Sequence, residues 1–291
     1  MKTVRTIEEM RSIKNDLKNN HNSIGLVPTM GFLHEGHRQL IQSSRQENDV
    51  VVVSVFVNPL QFNQSSDLES YPRDFERDEK IMEQDGVDYV FYPTALEMYP
   101  RAMTISMSVD RRTDVLCGQS RPGHFEGVVT VLSKLFHIIA PTSAYFGLKD
   151  AQQFAVVDAL VHDFNFEVNV TPVPTVREED GLAMSSRNVN LETDEREEAK
   201  HIYQALLHGQ TFIKQHDDWS RQEVINEVKG YLEFHITGEI DYIDCLSFPE
   251  LSKDLTVGDD LIIAVAVYYK KARLIDNIIL NAQGEFKYKG E

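Results

Sequence analysis

Cysteine is nearly absent: Cys117 and Cys245 are the only two in 291 residues, and they stand far apart. A disulfide framework or a zinc knuckle needs clustered thiols, so neither is expected, and reduced thiols in a cytoplasmic protein are the expectation. Positive charge is scarce too, with 29 Lys and Arg against 46 Asp and Glu and a formal net charge of -17. Nucleic acid and anionic membranes are recognised by dense positive charge, so neither is an expected partner, and any anionic ligand has to be met by a local basic cluster. Long apolar runs are also missing. The stretch from Met1 to Glu9 lacks the apolar core of a signal peptide, and Leu261 to Tyr269 is too short to span a bilayer. What is present is an ordinary globular composition, 42% hydrophobic, with a length that suits one large domain or one large domain plus one small one.

The hydrophobic pattern predicts an alternation. Ile7, Met10, Ile13 and Leu17 recur at helical spacing between Val4 and Lys18, and Ser23 to Val27 reads as a short buried strand. Pro28 to Gly31 reads as a turn, and Gly36 to Glu47 as a helix. Asp49 to Val57 is a β-branched run, the pattern of a parallel strand covered on both faces, and it stops at Asn58-Pro59. A charged helix over Arg73 to Gly86, a strand over Val87 to Tyr92, a helix over Gly127 to Ile139, a strand over Ala144 to Phe146, a helix over Ala151 to Asp163 and a strand over Phe166 to Val173 follow. Strands alternating with helices predict an α/β fold, a doubly wound parallel Rossmann-like sheet. Beyond residue 175 the texture changes to two long charged helices, Asp194 to Lys214 and Ser220 to Phe234, and three strands near Asp241 to Leu246, Leu261 to Tyr269 and Leu274 to Leu280. The predicted division is a domain over residues 1–175 and a smaller α+β domain over 176–291.

Two motifs carry the chemistry. His34-Glu35-Gly36-His37 lies directly behind a strand at a helix start, where free N–H groups and the helix dipole receive phosphate. Two imidazoles three residues apart can reach one phosphate chain, and Gly36 lets the nucleotide approach the backbone. The bland alternative is a pair of surface histidines beside a turn; a zinc site lacks a third ligand at convincing spacing. The second motif is Met184-Ser185-Ser186-Arg187, in which two hydroxyls, several backbone N–H groups and a guanidinium make an anion clamp; serine-rich loops are common, so alone it proves little. Gln61, at the end of the β-branched strand, and Gln153, after the Gly147-Leu148-Lys149-Asp150 turn, each offer a donor and an acceptor suited to a small polar acid, though a loop glutamine is usually just solvated. The segment from Arg121 to Gly127 is either a structural turn or a further ligand contact.

The two motifs together resemble the paired signature of the nucleotidylyltransferase superfamily, whose second loop usually carries a lysine, here replaced by Lys149. The resemblance narrows further through Pro28-Thr29-Met30-Gly31, Phe56-Val57-Asn58-Pro59-Leu60-Gln61-Phe62, Tyr71-Pro72-Arg73, Arg121-Pro122-Gly123-His124-Phe125-Glu126-Gly127, Gly147-Leu148-Lys149-Asp150-Ala151-Gln152-Gln153 and Arg177 to Asn188. These are similar to the pantothenate synthetase (pantoate-β-alanine ligase) family, and they cover the amino-terminal two thirds of the chain.

The resemblance implies an ATP- and Mg²⁺-dependent ligase of the coenzyme A pathway that joins pantoate to β-alanine through pantoyl adenylate, in a cytoplasmic homodimer. Carried over, Met30, Gly31, Phe32, Leu33, His34, Glu35, Gly36 and His37 line the ATP site, with His37 as an acid; Gly147, Leu148, Lys149, Asp150, Val176, Met184, Ser185, Ser186 and Arg187 complete it. Gln61 and Gln153 hold pantoate, Gln61 also lies near β-alanine, and Asn58 accompanies them. From the residues themselves, a carboxylate such as Asp78 or Asp150 is a candidate magnesium ligand, the alternative being that triphosphate and water supply most ligands. His34, His37, Lys149, Ser185, Ser186 and Arg187 are the expected catalytic donors. Leu148 and Ala151 depart from the family, which often has a polar residue and Tyr there. The alternatives are an enzyme that passes AMP to a phosphorylated acceptor, and a nucleotide sensor without catalysis.

Overall fold

The computed structural model describes residues 1–63, 68–69, 71–256 and 258–288. By contacts the chain divides into two compact units. The first comprises Met1–Arg111, Ser120–Gly147 and Val156–Val173; the second comprises Arg112–Gln119, Leu148–Ala155 and Pro174–Glu291. The expected junction near residue 175 falls beside the last of these crossings, while the two short pieces given to the second unit from within the first carry no composition change that would mark them.

In the first unit the strands are β1 (Lys2–Val4), β2 (Ile24–Thr29), β3 (Val50–Val55), β4 (Tyr89–Phe91), β5 (Ser143–Gly147) and β6 (Asn169–Val173). They form one sheet in the order β1-β4-β3-β2-β5-β6, every pair parallel. The main helices are α1 (Ile7–Asn19), α2 (Glu35–Glu47), α3 (Phe75–Gln84), α4 (His124–Ile139) and α5 (Ala151–Asp163), the last running from the second unit into the first. Every residue of β3 is buried, as expected of a central strand covered on both faces, and Val51, Val53 and Val55 join Val27, Leu33, Leu40, Ile41 and Met82 in one core cluster. Burying each such side chain contributes roughly 1.5–3 kcal/mol.

Sequence order reverses between β2 and β5: the chain builds outward through β3 and β4, then returns to the other side of β2. Ligands of parallel sheets bind at such a switch point, outside the carboxyl ends of the strands. Pro28 shows how the crevice opens there. β2 pairs with β5 only at Gly25 and Leu26 but with β3 as far as Thr29. A residue without an N–H is tolerated in this central strand because its β5 side has already parted, and the predicted turn at Pro28 is the last stretch of the strand.

Two further boundaries differ from the sequence reading. β1 is a three-residue edge strand with too few residues to show a period. α4 begins at His124 rather than Gly127, with Gly123 at φ +80° before it. Gly127 sits inside the first turn because a Cβ there would lie 2.4 Å from the Leu60 carbonyl oxygen and 2.6 Å from the Gln61 nitrogen. The glycine is a contact surface, not a helix breaker.

The second unit has two long helices, α6 (Thr193–Gln215) and α7 (Arg221–His235), and the antiparallel sheet β7 (Glu239–Ser247), β8 (Leu261–Tyr268) and β9 (Arg273–Leu280), in the order β7-β8-β9. Ala199, Ile202, Leu206, Val224, Val228 and Leu232 from the helices pack with Cys245, Ile263, Val265 and Ile278 from the sheet. Both cysteines are buried thiols. Among the described residues no helix is long and apolar enough to cross a membrane.

Candidate active site

The loop after β2 is held from below. Gly31 and Phe32 have φ of +84° and +54°, two left-handed residues in succession, which turn the N–H groups of Phe32 and Leu33 the same way. Asp78, from α3, receives both: its Oδ2 accepts from Phe32 N at 2.6 Å and its Oδ1 from Leu33 N at 2.8 Å. The Asp78 side chain is 1% exposed. Burial raises its pKa against the opposing pull of the two amide bonds. Thr29 adds a third tie, its Oγ1 donating to the Ser54 carbonyl and accepting from Gly31 N. Asp78, expected as a metal ligand, commits one lone pair of each oxygen to the loop, and it also lines a cavity of about 340 Å³ at the carboxyl ends of β2, β3 and β4. Among the described residues no group of three or more His, Cys, Asp or Glu is arranged to hold a metal.

The loop delivers His34 as the N-cap of α2. His34 Nδ1 accepts from Gly36 N at 3.1 Å, and His37 Nδ1 accepts from His34 N at 3.3 Å, a reciprocal box built from two imidazoles whose ring centres are 4.1 Å apart. An Nδ1 that accepts from a backbone N–H carries no proton, so each neutral ring bears its proton on Nε2. The helix start thus presents ring N–H donors of defined tautomer along with its dipole. Gly36 has a reason beyond nucleotide approach: a Cβ there would meet the His34 ring at 2.9 Å. Glu35 is exposed and pairs with Arg38 at 3.6 Å.

At the end of β3, Asn58 is 1% exposed and Gln61 7%. Asn58 Nδ2 donates to Gln61 Oε1 at 3.2 Å and to the Gly127 carbonyl at 3.0 Å, and its Oδ1 accepts from Leu60 N at 3.3 Å and Tyr99 OH at 2.9 Å. Gln61 Nε2 donates to the Met30 sulfur at 3.0 Å, joining the ends of β2 and β3. His124 Nδ1 donates to the Gln61 carbonyl at 2.9 Å, and its Nε2 faces the Arg121 guanidinium at 3.2 Å. The Arg121–Gly127 segment is thus a support for Gln61. With both amide atoms of Asn58 making two bonds each, Asn58 holds Gln61 and has no capacity left for a substrate. A cavity of about 340 Å³ at the carboxyl ends of β2, β3 and β4 is lined by Met30, Gly31, Phe56, Arg73, Phe75 and Tyr92 among others, but not by Gln61 or the histidines.

The second unit brings Lys149 and Ser185 to one small recess, which Asn188 and Asp276 also line. Lys149 is 18% exposed, with its Nζ 3.8 Å from Asp150 Oδ1. Its turn is anchored by Asn277, whose Nδ2 donates to the carbonyls of Leu148 and Lys149. Leu148 is buried. The Met-Ser-Ser-Arg loop leaves a hairpin closed by Met184 N to the Val176 carbonyl and Glu178 N to the Leu182 carbonyl. Ser185 Oγ accepts from Arg187 N at 3.2 Å, and Asn188 donates to Glu178 and to the Ala183 carbonyl. Arg177 makes a bidentate pair with buried Asp276, and Arg196 bridges Glu178 and Asp180. Ser186 and Arg187 are half-buried, as is Gln153 on the first turn of α5. Its neighbour Gln152 is buried and donates to the carbonyls of Arg112 and Val115.

Sequence reasoning did not reach Tyr99, Asn277 or the loop-holding role of Asp78. Tyr99 and Asn277 stand in no motif, and only the hydrogen bonds reveal them. Asp78 carried one usable signal, an acidic residue in the first turn of an amphipathic helix.

A Rossmann-like sheet, a ligand loop at its switch point and a helix start capped by two imidazoles define a phosphate-binding α/β protein. The family model described as pantoate-beta-alanine ligase matches residues 2–279. The chain is 56% identical over 274 residues to a pantothenate synthetase of Geobacillus thermodenitrificans, covering 94% of each, and 52% identical over 283 residues to one of Bacillus cereus, covering 97% of this chain and all of that one. A crystal structure of pantothenate synthetase from Thermus thermophilus superposes with a TM-score of 0.86 at 42% identity, over 96% of this chain and 99% of that one. A pantoate-beta-alanine ligase from Francisella tularensis, complexed with beta-gamma ATP and beta-alanine, superposes with a TM-score of 0.78 at 36% identity, over 96% and 97%. The chain belongs to the pantoate-beta-alanine ligase family.

Proposed function

We propose that this protein condenses pantoate with β-alanine at the expense of ATP, through pantoyl adenylate, and releases AMP and pyrophosphate. The observation that carries this reading is the His34–His37 box on α2, which uses both Nδ1 atoms as acceptors and so fixes both rings as Nε2–H donors at a helix start, where an anion is favoured. The ATP and β-alanine complex of the Francisella relative supports the choice of ligands.

A carboxylate resists amines because of its charge and its poor leaving group. In the first step a pantoate carboxylate oxygen bonds to the α-phosphorus as the bond to the pyrophosphate oxygen breaks. Charge grows on the phosphate oxygens, and preorganised donors stabilise it. Met30 to His37 supply such donors from the first unit; Gly147, Lys149, Asp150, Val176 and Met184 to Arg187 are the other proposed ATP contacts, with Lys149 and Ser185 the cationic and hydroxyl donors that share a recess. Leu148 contributes through its backbone. Gln61 and Gln153 hold pantoate. In the second step the β-alanine amine bonds to the acyl carbon and AMP leaves.

Mg²⁺ enters with the triphosphate in this reading. Asp78 holds the loop N–H groups in this reading, and no step here depends on the ion. A cytoplasmic homodimer is the proposed setting.

The test is direct. With ATP, pantoate and β-alanine, purified protein should form AMP and pantothenate in equal amounts, and omitting pantoate should abolish AMP release. Adenylate transfer to a phosphorylated acceptor, with no acid-dependent AMP, would overturn the assignment.

A further inference from the structure

The hydrogen bonds behind Gln61 run in one direction, and two backbone groups set it. An Asn amide can sit either way round by shape alone, since its oxygen and nitrogen are nearly isosteric. Here the Leu60 N–H can only donate, which places Oδ1 of Asn58 on that side. The Gly127 carbonyl can only accept, which places Nδ2 on the other. The Tyr99 hydroxyl, 2.9 Å from Oδ1, must then act as a donor. Gln61, 3.2 Å from Nδ2, must turn its Oε1 toward Asn58. Its Nε2 then points away from Asn58, with one hydrogen toward the Met30 sulfur, a weak acceptor.

We infer that Tyr99 and Asn58 are positioning residues that fix the Gln61 amide with its NH₂ outward, so that the acid substrate is recognised through an acceptor oxygen, carboxylate or hydroxyl, and not through a donor. This rests on the reading of Gln61 as a pantoate contact. Tyr99 makes the shortest bond of the four to Asn58; without it, Oδ1 retains only the 3.3 Å contact from Leu60 N in a side chain that is 1% exposed. The direction of the relay depends on chemistry that shape does not encode, so near-isosteric changes should disable it.

Two such changes test it. Tyr99→Phe removes the hydroxyl and keeps the ring, which lies 6.1 Å from Phe56 and beneath Lys134. Asn58→Asp keeps the acceptor toward Tyr99 and Leu60 but replaces the donor toward Gln61, so the Gln61 amide should reverse and present its oxygen. The expected result is a pantoate KM raised about tenfold in Tyr99→Phe, the size of one lost buried hydrogen bond, and raised further in Asn58→Asp. The KM for ATP should stay within about twofold, and thermal unfolding of Tyr99→Phe should remain cooperative. An unmoved pantoate KM in Tyr99→Phe, or equal rises for ATP and pantoate, would overturn the relay. Gln61→Ala separates the two levels: if it weakens pantoate binding while Tyr99→Phe does not, the relay is wrong and the function stands. If Gln61→Ala leaves the pantoate KM unchanged, the relay and the Gln61 assignment fail together, whereas a wild-type protein that makes no pantothenate sinks the function itself.

Discussion

The loop of the two histidines and the loop of the two serines are both proposed to grip one nucleotide, yet they are held by different physics. The first is tied by a buried carboxylate to backbone N–H groups, with Asp78 1% exposed and bonds of 2.6 and 2.8 Å. The second is tied through charged side chains at the surface, where Arg196, Glu178 and Asp180 are each about a third exposed. Buried acceptors of backbone donors are costly to remove and little affected by salt, while exposed ion pairs contribute little and are screened. One loop is therefore built as a fixed platform and the other as an adjustable one. The bidentate Arg177–Asp276 pair, beneath the hairpin, has a buried carboxylate like that of the first loop.

The largest effect should come from the group proposed to touch the reacting charge. Lys149→Ala is expected to slow adenylate formation by about 10²-fold or more, as loss of a preorganised donor does elsewhere. Pyrophosphate exchange into ATP measures it, and a rate near wild type would remove Lys149 from the mechanism.

Next comes the platform. Asp78→Ala strands two buried N–H groups beneath left-handed residues, which should cost about 1–3 kcal/mol in urea unfolding and lower kcat together with it. If stability fell but kcat held, the loop would not need its clamp, and the contrast between the loops would lose its functional meaning.

The adjustable loop should respond less. Arg196→Ala should cost under about 1 kcal/mol, and less still in high salt. A larger, salt-independent loss would show that this loop is as rigidly built as the other.

The smallest effect separates the loops by sign of pH dependence. The Arg196 guanidinium holds the Asp180 carboxyl below its ordinary value of 3.8, so the stability it contributes is present above that value and lost as pH falls through the lowered one. Asp78 is shifted upward by burial, so its contribution is full below 3.8 and lost as pH rises through the raised value. Unfolding curves from acid to neutral pH should therefore show Asp180→Asn converging on wild type toward acid, whereas Asp78→Asn, which sets an amide donor against one of the two loop N–H groups, should lie below wild type by a gap that narrows as pH rises. Parallel curves for either variant would contradict its assigned shift.

Much was legible from local pattern. β3 was expected because six successive buried residues leave a continuous apolar run, and α2 because Leu40, Ile41 and Ser44 repeat at helical spacing. The histidine motif was legible because cap chemistry is local, confined to residues three apart. Pro28 and Gly127 misled, because each is a breaker by propensity. Each is accommodated by a neighbour distant in sequence, Pro28 by the early parting of β5 and Gly127 by the close approach of the Leu60–Gln61 turn.

By itself the sequence determined the α/β alternation, the order of its strands along the chain, the two motifs proposed to bind phosphate and the family. Those properties rest on periodicity and on contacts within a few residues. The tertiary structure alone decided that Asp78 is a clamp, that Asn58 has no hydrogen bond to spare, and which way round the Gln61 amide sits. Each of those depends on a partner dozens of positions away, Phe32, Gly127 or Tyr99, whose meeting no local pattern encodes.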